Sequence, residues 1–273
     1  MKTPLIHPRL VLTMLCVMSA DLAIAEEMSD PTGLSMPSSD QTANWNGYYG
    51  GFTFGLAQGD ARAFRSNGSG EIIEMDITNG LLPREIFDAT SSSIAGVTLG
   101  YNLERGRFVS GIELDFSVPQ FEAEHEFSRV DPGPMFPGVI TDTRYRTEFE
   151  RFATLRLRSG FSKGDTLFYG TAGVAAGLVE NEFSLSLPNF PGLTDGYSSP
   201  NWSEKETRYG YVVGAGIEHR LTSRVSFKAE AQYYDLSDAT VEGRDPASFP
   251  GQEIDYSFDN EGFILRLGLN VSF

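Results

Sequence analysis

Cysteine is all but missing. The single one among 273 residues, Cys16, lies near the start of the chain, inside a stretch with the order of an export leader. Lys2 and Arg9 precede an apolar run from Leu10 to Met18, and Ala23-Ile24-Ala25 supplies the small residues of an A-x-A cleavage site. The leader is therefore placed at 1–25, with Sec-type export. Its apolar run is too short for a membrane anchor, because a spanning helix needs about 20 apolar residues. Leu15 stands where a lipoprotein signal wants a small residue before its cysteine. The chain that follows has no cysteine, which excludes a disulfide framework, a thiolate zinc site and a cysteine nucleophile. Export without disulfides fits a bacterial envelope protein better than a small secreted domain.

Positive charge is also scarce. Lys and Arg number 21 against 37 Asp and Glu, a formal charge of −16, and loss of the leader leaves 19 against 36, or −17. Such acidity excludes nucleic acid as a partner, whose phosphates want Lys and Arg. It also argues against a basic patch that holds an anionic membrane surface. Long apolar runs are missing too. The best candidate after the leader, Ala172 to Val179, is short and glycine-rich. That excludes a helical membrane protein but not a β-barrel, whose strands alternate and escape hydropathy windows.

What is present is alternation. Residues 26–44, rich in Ser, Asp, Thr and Pro, read as a flexible periplasmic linker. From Trp45 to Phe273 a period of two runs through eight segments, near 46–59, 93–103, 107–118, 148–161, 166–180, 207–221, 224–236 and 258–273. Tight turns join alternate pairs: Glu104-Arg105-Gly106, Ser162-Lys163-Gly164-Asp165 and Thr222-Ser223. The other connections, near 60–92, 119–147, 181–206 and 237–257, are long and polar. Short turns on one side and long loops on the other predict an all-β fold: an eight-stranded antiparallel up-and-down transmembrane barrel over 45–273. The short turns are then periplasmic and the four long loops external.

Each segment has an apolar face, and the faces opposite decide which way it points. Those carry Glu113 and Asp115; Thr154, Arg156 and Arg158; Gly214, Gly216 and Glu218; Ser226, Lys228, Glu230 and Gln232; and Asn260, Gly262, Arg266, Gly268 and Asn270. Phe152 departs from the pattern. Four acids, Glu113, Asp115, Glu218 and Glu230, match four bases, Arg156, Arg158, Lys228 and Arg266. Solvated faces of a soluble sandwich would not need that balance. A narrow lumen would, because unpaired buried charge is very costly. Eight strands enclose only room for side chains, so the interior is expected to be polar and plugged, with glycines making space for arginines. Tyr48, Tyr101, Phe108, Phe161, Phe168, Phe227 and Phe273 fall at the short-turn ends on the apolar parity, as an interfacial girdle would.

Several of these segments have the look of a known family. Trp45-Asn46-Gly47-Tyr48-Tyr49-Gly50-Gly51, Ala95-Gly96-Val97-Thr98-Leu99-Gly100-Tyr101-Asn102, Thr154-Leu155-Arg156-Leu157-Arg158-Ser159-Gly160 and Leu265-Arg266-Leu267-Gly268-Leu269-Asn270-Val271-Ser272-Phe273 stand in order along the chain. Together they resemble the OmpA-like, porin-family outer-membrane barrels that are surface antigens in alphaproteobacteria. The resemblance implies periplasmic chaperones and the barrel-assembly machinery as partners. It implies an assembly signal at Leu269, Val271 and Phe273, with Val271 where an aromatic is usual. No peptidoglycan-binding domain follows the barrel in this sequence.

Chemical readings compete weakly. Phe121-Glu122-Ala123-Glu124-His125-Glu126-Phe127 could offer oxygen ligands to a cation, but in a strand the glutamates and His125 take opposite faces, and a solvated face is favoured. Ser128 is badly spaced from His125 for a nucleophile and base. Gly214-Ala215-Gly216 lacks the third glycine of a dinucleotide loop, with His219 in its place, and His219 fits a girdle position. The sequence thus predicts no catalytic residue, no metal and no cofactor. It predicts a monomeric, structural, surface-exposed barrel in contact with outer-membrane lipid and lipopolysaccharide. Weak passive diffusion of solutes and loop-borne ligand or host-factor binding are the alternatives.

Overall fold

The computed structural model describes residues 44–133, 136–192, 194–245, 248 and 250–273. The expected leader, and the expected linker apart from Asn44, lie outside the described residues.

Among the described residues the order is β1 (Gly47–Ser69), α1 (Glu71–Thr78), β2 (Glu85–Arg105), β3 (Phe108–Pro119), β4 (Phe121–Val130), β5 (Ile140–Lys163), β6 (Thr166–Leu187), β7 (Tyr197–Ser198), β8 (Trp202–Arg220), β9 (Val225–Arg244) and β10 (Glu253–Ser272). Every ladder is antiparallel. β5 pairs with β3 along one edge and β6 along the other, and β1 pairs with β10, so eight strands close into a ring. Closure leaves the ring without a sheet edge to template aggregation. β4 continues the line of β3 beyond Gln120 and pairs with the far half of β5. β7 adds two residues to the end of β6.

The three tight turns lie where the sequence predicts them. Arg105 pairs with Phe108 and Lys163 with Thr166, which leaves two-residue loops headed by Gly106 and Gly164. Their φ angles of 63° and 59° are left-handed, a conformation that glycine takes without a Cβ penalty.

The opposite end differs from expectation. The stretches anticipated as long polar loops are mostly strand, and β1, β2, β5 and β6 run for 23, 21, 24 and 22 residues, about twice what a bilayer requires. The connections proper shrink to 70–84, 131–139, 188–201 and 245–252. The cause is visible along β6. Its outward positions pass from Phe168, Ala172, Val174 and Leu178 to Glu180, Glu182, Ser184 and Ser186, while its buried positions pass from Thr171 to Val179, Phe183 and Leu187. β10 does the same, from outward Leu267, Leu265 and Phe263 to Glu261, Asp259 and Ser257. The alternation persists, but the greasy face moves from outside to inside. Near the short turns the ring faces an apolar solvent; beyond Leu178 and Phe263 it faces water and packs a conventional core.

That core has two stacked layers. The first holds Ala57, Ile94, Phe149, Phe152, Val179, Tyr234 and Ile264. The second, farther from the tight turns, holds Ile73, Tyr145, Phe183, Val241, Ile254, Tyr256 and Phe258. A register shift between Phe149 and Arg151 lets both Phe149 and Phe152 point inward. Phe152 is therefore no anomaly: it begins the apolar filling, 5.1 Å from the ring of Tyr234.

Candidate functional site

The strands of the tight-turn half aim their polar positions at one place in the lumen. β3 contributes Glu113 and Asp115, β5 Arg156 and Arg158, β8 Glu218, β9 Lys228 and Glu230, and β10 Arg266. All eight are buried, Glu113 and Lys228 completely.

Arg156 is the hub. Its guanidinium pairs with Glu113, Asp115 and Glu230 and donates to Thr171 Oγ1 at 3.0 Å. Arg266 lies 3.0 Å from Asp115 and 3.1 Å from Glu230. Lys228 Nζ is 3.2 Å from Glu113. Arg158 pairs with Glu218 and stacks its guanidinium 3.8 Å from the centre of the Tyr169 ring. Neutral donors complete the carboxylates. Tyr49 donates to Glu113 at 2.6 Å, Tyr169 to Glu230 at 2.8 Å, Thr98 to Asp115 at 2.6 Å and Asn270 to Glu218 at 2.8 Å. Buried ion pairs are tolerable only when further hydrogen bonds satisfy the remaining lone pairs, which these donors do. The hydroxyls of Tyr49 and Tyr169 were not singled out from the sequence. Their parity, opposite to that of Tyr48 and Phe168, is the signal that could have found them.

Space for the long side chains comes from glycines across the ladder. Gly173 faces Arg156, Gly111 faces Arg158, Gly55 faces Arg266, Gly268 faces Lys228, Gly216 faces Glu230 and Gly100 faces Glu113. A Cβ at Gly173 would stand 2.0 Å from Leu155 O, and one at Gly100 would stand 2.2 Å from the Tyr49 ring.

Apolar layers bracket the charges. Phe152, Tyr234 and Ile264 lie on one side. Trp45, Val109, Leu167 and Tyr169 lie towards the tight turns, where Arg220 sits 4.6 Å over the Trp45 ring.

The other residues singled out from the sequence do not converge. Glu124 and Glu126 both approach Arg144, at 2.7 and 3.9 Å, while His125 sits opposite Tyr145 on the other parity. His219 is exposed and its Nδ1 lies 2.9 Å from Thr166 Oγ1. Gly214 and Gly216 are wall positions of β8. Leu269, Val271 and Phe273 lie exposed along the apolar belt, Phe273 at 84%.

Residues 32–273 match the outer membrane protein beta-barrel domain family. The chain belongs to this family. It is a bacterial outer-membrane β-barrel, similar to the 31 kDa outer-membrane immunogenic protein of Brucella melitensis, at 29% identity over 94% of this chain and 93% of the relative. A 22 kDa outer membrane protein of Rhizobium leguminosarum is 25% identical over 65% of this chain and 64% of its own. Among solved structures, the outer membrane protein OprG from Pseudomonas aeruginosa aligns over 84% of this chain and 97% of its own, at 13% identity and a TM-score of 0.47. As a member of this family, the barrel turns its apolar belt to outer-membrane lipid. Tyr48 and Tyr101, 4.6 Å apart, and Phe161 and Phe168, 5.4 Å apart, stand at its periplasmic margin. Tyr211, Tyr233 and Phe263 form the row at its outer margin. The strands beyond that row extend into the external medium.

Proposed function

We propose that this barrel is a structural, surface-exposed envelope protein whose lumen is closed to solutes by its own side chains. One observation carries the reading. The charges that could line a pore are instead consumed in pairing with one another, with an apolar layer on either side of them. An ion on this path would have to break several buried pairs at once, and breaking one buried pair costs about 3–5 kcal/mol. The interior charge set of Glu113, Asp115, Glu218, Glu230, Arg156, Arg158, Lys228 and Arg266 is then a structural element that ties strands together.

Outside the bilayer the barrel presents a charged face. Arg62 with Glu85, Arg146 with Glu182, and Lys205 with Glu180 pair across strands on its outer surface. This rigid acidic surface, more than any loop, is what the cell exterior meets, and it suits cation-bridged packing against lipopolysaccharide phosphates. The leader at 1–25 and the linker at 26–44 deliver and tether the barrel, and Leu269, Val271 and Phe273 present it to the assembly machinery with its chaperones.

Planar bilayer recording of the purified, refolded protein tests the closed lumen. The expected result is no stable unitary conductance. Regular openings of porin size would overturn the proposal in favour of passive diffusion.

A further inference from the structure

At the outer mouth, beyond the second apolar layer, lies a small pocket, open in part to solvent. Its wall is largely apolar, with Ile73, Leu81, Phe136, Leu187, Phe190 and Trp202. Among the described residues three carboxyl groups interrupt it, Asp76, Asp131 and Asp245, and no Lys or Arg lines it. Two of the three are occupied. Asp245 accepts from the Tyr197 hydroxyl at 2.7 Å, and Asp131 accepts from the Gly133 N–H at 2.6 Å and from Asn79 Nδ2 at 3.2 Å. Asp76 is 9% exposed and its carboxyl has neither a hydrogen bond nor an ion pair among the described residues. It sits on α1, which Gln252 pins over the mouth by accepting from the Ile72 and Ile73 N–H groups, each at 3.1 Å.

A buried carboxyl without a partner among the described residues, in an apolar pocket whose described charges are negative, is complementary to one kind of ligand. We propose that this pocket binds small amphipathic amines, the hydrocarbon part against Trp202, Phe136 and Leu187 and the ammonium group on Asp76. The apolar lining supplies affinity through area removed from water, and the carboxylate supplies selection for a cation. The pocket ends on the packed second layer with Phe183 and Tyr256, so binding there is capture at the surface and not entry to a channel. This goes beyond the structural role proposed above.

The site carries its own pH signature. Burial, and next the charge of Asp131 across the pocket, push the Asp76 carboxyl up to about 7. Asp245 and Tyr197, bonded to each other, are the remaining titratable groups among the described residues of the wall. An alkylammonium stays charged throughout, so its affinity follows the ionised fraction of Asp76. That fraction falls to about 3% at pH 5.5 and is nearly complete at pH 8.5, a ratio on the order of 30 in apparent Kd.

Calorimetric titration of the full refolded barrel in detergent, with hexylamine and hexanol as probes, tests the proposal. Hexylamine is expected to bind saturably, at least tenfold tighter at pH 8.5 than at pH 5.5, with hexanol unaffected by pH. Asp76→Asn, checked for folding by its gel mobility before heating, is expected to bind hexylamine at pH 8.5 as weakly as the parent does at pH 5.5. Equal binding of the two probes at both pH values would overturn the proposal, as would a pH dependence that survives in Asp76→Asn or an absence of saturable binding to the parent.

Discussion

At the residue scale the lumen is a set of exchangeable charges with fixed addresses. Arg158 illustrates it: Glu218 is its strongest partner, Tyr49 accepts from it at 3.1 Å, and Glu113 is 3.8 Å away. Arg158→Met keeps the bulk of the side chain but strands Glu218 in an enclosed site, for which about 3–5 kcal/mol of destabilisation is expected. Adding Glu218→Gln removes the stranded charge, so the double variant is expected to recover part of that loss. Urea unfolding in lipid vesicles followed by tryptophan emission measures both. A double variant no more stable than Arg158→Met would mean that the pair is not energetically coupled. The identities of the eight charged residues were legible in the sequence because parity and charge balance together mark a lumen. Their partners were not, because pairing depends on side-chain reach across the ring. Arg156 meets Glu230 from the far side of β6 and β8, a contact no sequence spacing encodes.

At the scale of the element, the strands carry two solvents' worth of information in one alternation. The eight segments and three tight turns could be read directly. The outer halves of the strands could not, because period two says nothing about which face is inside, and Glu182, Ser184 and Arg146 look like loop residues when the greasy partners Phe183 and Tyr145 are not yet known to be inward. The boundary is testable on one strand and one face. Val174→Lys, in the middle of the β6 lipid stretch, is expected to cost about 2–4 kcal/mol, as basic residues do near a bilayer midplane. Ser184→Lys, ten positions on and also outward, is expected to lie within about 0.5 kcal/mol of the parent, as surface changes do. Equal costs would erase the boundary. The helix α1 was not read at all from the sequence. Its cap is Gln252, remote in the chain, and a Cβ at Gly70 would stand 2.3 Å from the Gln252 amide oxygen. Its docking should depend on pH. The Asp76 carboxyl is raised from 3.8 to about 7 in the folded chain, so between those values the folded state holds a proton that the open state lacks. Stability of the docked helix is therefore greatest at low pH, declines as pH rises from about 4 to about 7, and levels off above. Amide exchange at Ile77 and Asn79, corrected for intrinsic rate, is expected to quicken from pH 5 to pH 8, and Asp76→Asn is expected to abolish the trend. A trend of the opposite sign would show that Asp76 gains a cationic partner on docking.

At the scale of the whole molecule, every ring strand sends at least one side chain into the charge network or its hydrogen-bonded shell: Tyr49 from β1, Thr98 from β2, Glu113 from β3, Arg156 from β5, Tyr169 from β6, Glu218 from β8, Glu230 from β9 and Arg266 from β10. A ring with closed ladders and a shared centre has no subset of strands that can leave while the rest stay satisfied. Unfolding of the barrel is therefore expected to be all-or-none, while α1 and the outer pocket open locally at lower cost. Gel mobility in SDS as a function of heating reads this directly. Unheated protein is expected to migrate apart from the fully denatured chain and to convert in one step, with no band between. Arg158→Met is expected to convert at a lower temperature and Asp76→Asn at an unchanged one, since only the first touches the shared centre. An intermediate band that Arg158→Met enriches would mean that the two halves of the strands melt separately. The water-facing core around Phe183 and Tyr256 would then be holding its half of the barrel together without help from the ions beneath it.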